Sequence, residues 1–170
     1  SFKETCKFLK TDNENAFLED SFTGIVRTRT TAELCSVMVK LQKLNKKNCK
    51  DEIKKIVNWL IIKQNKDGSW NETHVNYDNP SSVFTAICGL TLFEAYKDNL
   101  DIKIPKKVLN DAANFLIKQE IKEGHFKKSE HYHADVLNAD AMVSTFLINY
   151  GINEDNQKYI ESAKRGLKNI

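Results

Sequence analysis

Apolar residues recur at three- and four-residue intervals along most of the chain, the spacing that gathers them on one face of a helix. Ile53, Ile56, Val57, Leu60 and Ile61 mark one such face, and Val108, Ala112, Phe115 and Leu116 a second. Residues 31–44, 82–96 and 137–150 are instead apolar on more than one side. They carry Leu34, Cys35, Val37, Met38, Val39 and Leu41; then Val83, Phe84, Ala86, Ile87, Leu90, Leu92 and Phe93; then Ala141, Met142, Val143, Phe146, Leu147 and Ile148. A helix apolar nearly all round is buried nearly all round. The pattern therefore predicts amphipathic outer helices alternating with buried inner ones. Strand-type alternation is weak. Its best instance is residues 24–31, where Ile25 and Val26 precede a Thr/Arg alternation, and this stretch reads as an irregular loop into the next helix. Loops are expected at 12–29, 65–80, 99–105 and 120–134, three of them long for a helical bundle. The expected fold class is all-α.

The pattern repeats. Displacing the chain by 56 residues lays Trp59-Leu60 on Phe115-Leu116, Asp67-Gly68-Ser69-Trp70 on Glu123-Gly124-His125-Phe126, and Gln64 on Glu120. A shift of 55 lays Ala86-Ile87-Cys88-Gly89 on Ala141-Met142-Val143-Ser144, and a shift of 53 back lays Cys88-Gly89-Leu90 on Cys35-Ser36-Val37. Ser36, Gly89 and Ser144 thus share one place, where small side chains let helices approach closely. The unit is an outer helix, a long loop and an inner helix. Within one domain, 1–170, the repeats fall at about 1–50, 51–105 and 106–160, with a further outer helix opening in 155–170.

Lys55-x3-Trp59-Leu60-x3-Gln64-x3-Gly68-x-Trp70 resembles the QW repeat of squalene-hopene and oxidosqualene cyclases. Similar units occur in protein prenyltransferase β subunits and in thioester domains of complement-like proteins. Pro80-Ser81-Ser82-Val83-Phe84-Thr85-Ala86 also looks like the start of an inner helix in those families. The copy at 55–70 matches closely, the copy at 110–126 is degraded, and the resemblance spans roughly 50–170. It implies an α/α toroid, whose inner helices ring a central cavity. About three helical hairpins make only a partial toroid. The residues also have a reading without the family. Gln64 can bond the orphan groups at a helix end, Gly68 can supply a positive φ in the turn, and Trp70 can fold over the helix end if its N–H finds a partner.

Composition narrows the function. The 170 residues make one domain, and 26 Lys and Arg against 23 Asp and Glu leave a net charge of +3. That balance argues against a dedicated nucleic-acid or membrane-surface binder. No apolar run approaches the ~20 residues that span a bilayer. Cys6, Cys35, Cys49 and Cys88 form no C-x-x-C pair. Cys35 and Cys88 lie in apolar helical patterns, which points to free thiols and a reducing compartment, most simply the cytoplasm.

Four constellations could carry chemistry. Asp135-Val136-Leu137-Asn138 resembles the Asp-x-Asp-Asp acid motif of class II terpene cyclases, whose middle Asp protonates an alkene or epoxide. Here Leu137 stands at the donor position, so Asp135 or Asp140, one turn on, is the candidate acid; the alternative is that Asp135 or Asn138 caps a helix. His125, His131, His133 and Asp135 are ligand types that suit zinc. The Asp-x-Cys ligand pair of the prenyltransferases has no counterpart, and neither a metal nor a cofactor is expected. His74 and Asp78 recur as His131 and Asp135 at an offset of 57. They are either groups at one cavity mouth or two helix-entry caps. Arg27 and Arg29 form a potential fork for an anionic ligand. The candidate ligand-binding set is Arg27, Arg29, His74, Asp78 and His131.

Phosphate-loop, nucleophile-elbow and thioester motifs are absent. Two functions stand. One is a non-catalytic or degenerate repeat module that binds a partner chain or an apolar, isoprenoid-like ligand. The other is a fragment or subunit of a class II terpene cyclase-like enzyme that cyclises a polyprenyl chain by Asp-mediated protonation. The missing acid favours the first. An arc of three hairpins has open flanks, so a homodimer or a second, toroid-completing chain is expected. It would join through the inner face or the N-terminal end, which holds Phe2, Phe8, Leu9, Phe17, Leu18 and Phe22.

Overall fold

In the computed structural model, which describes residues 6–98, 101–129 and 136–170, the helical periodicity becomes six α-helices among the described residues. They are α1 (Thr28–Lys43), α2 (Lys50–Ile62), α3 (Ser82–Lys97), α4 (Lys106–Lys118), α5 (Leu137–Asn153) and α6 (Gln157–Leu167). Polar side chains start two of them: Ser81 accepts the Phe84 N–H and Asn156 the Tyr159 N–H. Each short connection from an inner to an outer helix holds one residue with left-handed backbone, Asn45, Asp101 and Asp155. Asn and Asp tolerate that conformation better than most residues.

Helices α1, α3 and α5 form an inner row. Thr91 donates to the Ala32 carbonyl, Ser36 to Glu94, and Lys43 pairs with Asp98, so α1 and α3 rise together and are parallel. Gly89 against Phe146 and Phe93 against Tyr150 set α3 and α5 parallel in the same way. A Cβ on Gly89 would come within 2.9 Å of the Phe146 ring, so glycine is what permits this approach. Ser144 sits otherwise: its hydroxyl lies against Gly166 of α6 rather than against an inner helix. The core is Met38, Ile53, Leu60, Leu92, Leu116, Phe146 and their neighbours, between the inner row and the outer helices α2, α4 and α6.

The all-α expectation is overturned. Three two-stranded antiparallel hairpins lie almost wholly in segments expected to be loops, with β1 just ahead of the first of these, and the fold is mixed helix and strand. They pair β1 (Leu9–Thr11) with β2 (Ala16–Leu18), β3 (Trp70–His74) with β4 (Tyr77–Ser81), and β5 (Glu120–Lys122) with β6 (His125–Phe126). The sequence conceals them for a physical reason. The strands are short, and apart from Ala16 only their ends next to an inner helix are buried, as at Leu18, Trp70, Ser81 and Phe126. A strand held by its ladder and by end contacts, rather than by a buried face, leaves no period-two hydrophobic signal. Residues 24–31 divide: Val26 bridges Glu19, and α1 already begins at Thr28.

The outer helices α2 and α4 each lead through a tight turn to a buried aromatic, Trp70 of β3 and Phe126 of β6. Trp70 is fully buried and donates its indole N–H to the Leu60 carbonyl at 2.8 Å. Gly68, at φ +95°, lies so close to the Asp111 backbone of α4 that any side chain would collide with it. Gly124, at φ +77°, meets the Arg165 carbonyl of α6 in the same manner.

Candidate functional site

One contact recurs where each inner helix begins. Thr31 Oγ1 accepts the Leu18 N–H at 2.9 Å, Thr85 Oγ1 the Trp70 N–H at 3.0 Å, and Asp140 Oδ1 the Phe126 N–H at 2.7 Å. All three acceptors are buried, with Asp140 only 1% exposed. Asp140, a candidate acid, therefore stands where the other two units carry a threonine. Its second oxygen lies 3.0 Å from His125 Nδ1, so both carboxylate oxygens are engaged. The N-cap of α5 is Val136, whose side chain makes no cap bond. The other candidate acid, Asp135, lies outside the described residues, as do His131 and His133.

The remaining candidates are dispersed. Arg27 donates to Asp20 at 2.8 Å, and that guanidinium, with the Thr23 N–H, holds the Asp20 carboxyl far below the usual carboxylate range. Arg29 pairs with Glu33 one turn along α1. Each arginine thus has a carboxylate of its own and the two do not converge. His74 and Asp78 occupy opposite faces of the β3–β4 hairpin, because His74 opposes Tyr77 while Asp78 opposes Thr73. The His74 ring stacks on Tyr77 at 5.0 Å. Asp78 lines a cleft of about 430 Å³ with Val26, Trp59, Lys63 and Asn71. The Thr73 hydroxyl donates to the Val26 carbonyl at 2.7 Å and ties this hairpin to the loop that carries Arg27.

Sequence reasoning expected an open inner face but not which side of the inner helices would form it. Among the described residues nothing covers the inner row along one side, where two hollows adjoin. One, of about 320 Å³, lies at the C-terminal ends of α1, α3 and α5; Val39, Leu90 and Phe93 line it, with Lys40, Lys43, Lys97, Glu94 and Asp98 around them. The other, of about 260 Å³, is lined by Ser36, Val37, Ile87, Leu90 and Met142. Lys40 and Leu90 belong to both. Val37 is 46% exposed, and Leu90 and Met142 are half-buried. The inference from apolar all round to buried all round fails on this side. The signal that could have found it is charge: Glu33, Lys40, Glu94 and Lys97 interrupt otherwise apolar helices and mark the uncovered flank.

The cysteines carry no chemistry on this side. Cys35 and Cys88 are fully buried, and burial pushes the Cys35 thiol up to about 12 and Cys88 higher still. A thiol held protonated is a poor nucleophile. Among the described residues, no group of three or more His, Cys, Asp or Glu could hold a metal ion, and no helix is long and apolar enough to cross a membrane. No protein-family model matches the chain, and no curated protein is similar enough to count as a match.

Proposed function

We propose that this chain is a non-catalytic repeat module whose inner-helix face takes up an apolar surface of a partner chain. The observation that carries the reading is the uncovered side of α1, α3 and α5, with two adjoining hollows floored by Val37, Leu90, Phe93 and Met142. An apolar floor inside a charged rim is the anatomy of protein–protein contacts. The hollows open sideways rather than enclosing a volume, which suits a partner surface better than a hydrocarbon chain, since small ligands are mostly engulfed. The resemblance of residues 55–70 to cyclase repeats adds support for an inner face that meets apolar matter. The non-catalytic part is supported by Asp140, whose carboxylate is committed to Phe126 and His125. Buried free thiols at Cys35 and Cys88 support a reducing compartment such as the cytoplasm.

Native mass spectrometry of the purified protein tests this, with Val37→Asp as the inner-face variant. We expect a bound polypeptide, its occupancy reduced about tenfold or more by the charge at position 37. An isoprenoid or other lipid bound in its place would replace the partner by a hydrocarbon ligand. Turnover of a polyprenyl substrate that disappears in Asp140→Asn would overturn the non-catalytic reading.

A further inference from the structure

We propose that the partner is a second copy of this chain, its inner face packed antiparallel across a twofold axis, with the Phe22 turn of each copy seated on the lysine-rimmed hollow of the other. The proposal rests on the inner-face reading above and names its occupant.

The first observation is an aromatic held out to solvent by a rigid turn. Phe22 is 97% exposed. Its turn is nonetheless tightly built. Asp20 accepts the Phe22 and Thr23 N–H groups and the Arg27 guanidinium, while the backbone closes through Asp20 N–H to Ile25 O and Gly24 N–H to Asp20 O, both 2.8 Å. A preorganised aromatic loses little freedom on binding, and such anchors dominate interfaces. The neighbouring β3–β4 hairpin, tied on by Thr73, offers Val75 at its tip, 61% exposed. Both tips belong to segments that lead into the N-terminal ends of inner helices.

The second observation is the hollow at the opposite end of the same helices, with room for a phenyl ring on Leu90 and Phe93.

The third is charge. Segments 19–27 and 71–81 hold Glu19, Asp20, Glu72 and Asp78 against Arg27, with Lys128 reaching in to pair with Glu72. Around the hollow, Lys40, Lys43 and Lys97 outnumber Glu94 and Asp98. The acidic end and the basic end lie at opposite termini of parallel helices. Two inner faces laid parallel would oppose like charges; laid antiparallel, each acidic end meets a basic one. A twofold axis closes that arrangement, so both hollows fill and both faces are covered at once.

Sedimentation velocity over a concentration series decides it. The wild type should dimerise, with an affinity that falls as salt rises. Phe22→Ser and Lys97→Glu should each weaken the dimer about tenfold or more; both side chains are exposed, so neither change threatens folding. A protein that stays monomeric throughout the series would overturn the proposal. So would a dimer that neither variant moves. In either case Val37→Asp separates the two readings. A monomer that binds 8-anilinonaphthalene-1-sulfonate in a Val37-dependent way, or a dimer broken only at position 37, sinks the Phe22 seating while the inner-face reading stands. Insensitivity to all three variants sinks both.

Discussion

The turn at residues 64–70 and the turn at 120–126 perform one task with different chemistry. In the first, Gln64 Nε2 donates to the Gly68 carbonyl at 3.0 Å and to the Val108 carbonyl of α4 at 2.9 Å, and the Trp70 indole ties back to Leu60. These partners are neutral backbone groups, and the turn's one carboxylate, Asp67, accepts only from Ser69 inside the turn and not from the next helix. In the second, Glu120 accepts the Gly124 N–H at 2.9 Å, two bonds of 2.7 Å from Arg165 of α6, and one from Ser162. Phe126 fills the aromatic place with a ring that has no N–H to donate. The two turns clamp onto the next outer helix alike, but only the second does so through an ion pair. The lesson is that the repeat preserves a contact geometry rather than a residue type. Sensitivity to pH and salt should therefore reside in one of the two turns.

The largest test of that comparison is truncation of the aromatics. Trp70→Ala should cost about 3–5 kcal/mol, with the Leu60 carbonyl losing its donor. Phe126→Ala should fall toward the lower end, because no hydrogen bond goes with the ring. Urea denaturation midpoints measure both, and an unchanged midpoint for Trp70→Ala would break the equivalence of the two turns. The glycines come next. Gly68→Ala should cost about 3 kcal/mol, from a strained φ and a collision with backbone in the middle of α4. Gly124→Ala should cost less, about 2 kcal/mol, because its neighbours are the last turn of α6 and the side chain of Asn169, which can shift. Equal losses would show the end of α6 to be as rigid as the middle of α4.

The smallest effect carries the sharpest sign. Arg165 beside Glu120 holds that carboxyl below its ordinary 4.5, with the Gly124 N–H and Ser162 acting the same way. A carboxyl lowered in the folded state stabilises the fold fully above its unfolded range, and the contribution fades as pH falls through the lower, folded value. Arg165 is 34% exposed, so the contribution is modest. Glu120→Gln should cost about 1 kcal/mol at neutral pH and close to nothing in acid, where the wild-type carboxyl is itself neutral. Gln64→Ala should show a loss that does not change with pH. Thermal melts of both variants at neutral and acidic pH provide the comparison; a gap for Glu120→Gln that stays constant across that range would contradict it.

These contrasts also mark how far the sequence could be read. The helices were legible because burying one side of a helix imposes the three- and four-residue spacing seen from Ile53 to Ile61. Gly68 and Trp70 were legible because a turn and a helix end have few chemical solutions. The hairpins were not, since their order comes from backbone pairing and from acceptors a dozen or more residues away. Thr31, Thr85 and Asp140 show why the site was harder still. Nothing about an isolated threonine announces that it receives a strand's N–H. Asp140, read as an acid by its nearness to Asp135, becomes intelligible only beside those two threonines. The open inner face was expected, but not which side of the inner helices forms it: apolar composition records what a helix prefers to touch, not whether this chain supplies it.

The one-way clamping of turns onto following helices has a consequence for cooperativity. The turn after β1 rests on Lys55 and Asn58 of α2, Gly68 rests on α4, and Gly124 on α6. Coupling therefore passes between nearest neighbours, as in a one-dimensional chain of interacting segments. The middle unit is held from both sides: its outer helix receives one turn and its own turn grips the next helix. Opening from either end removes one coupling at a time, whereas opening in the middle must break two. Amide protons of α2 and α3 should accordingly be the last to exchange with solvent, and those of α6 among the first of the helical set.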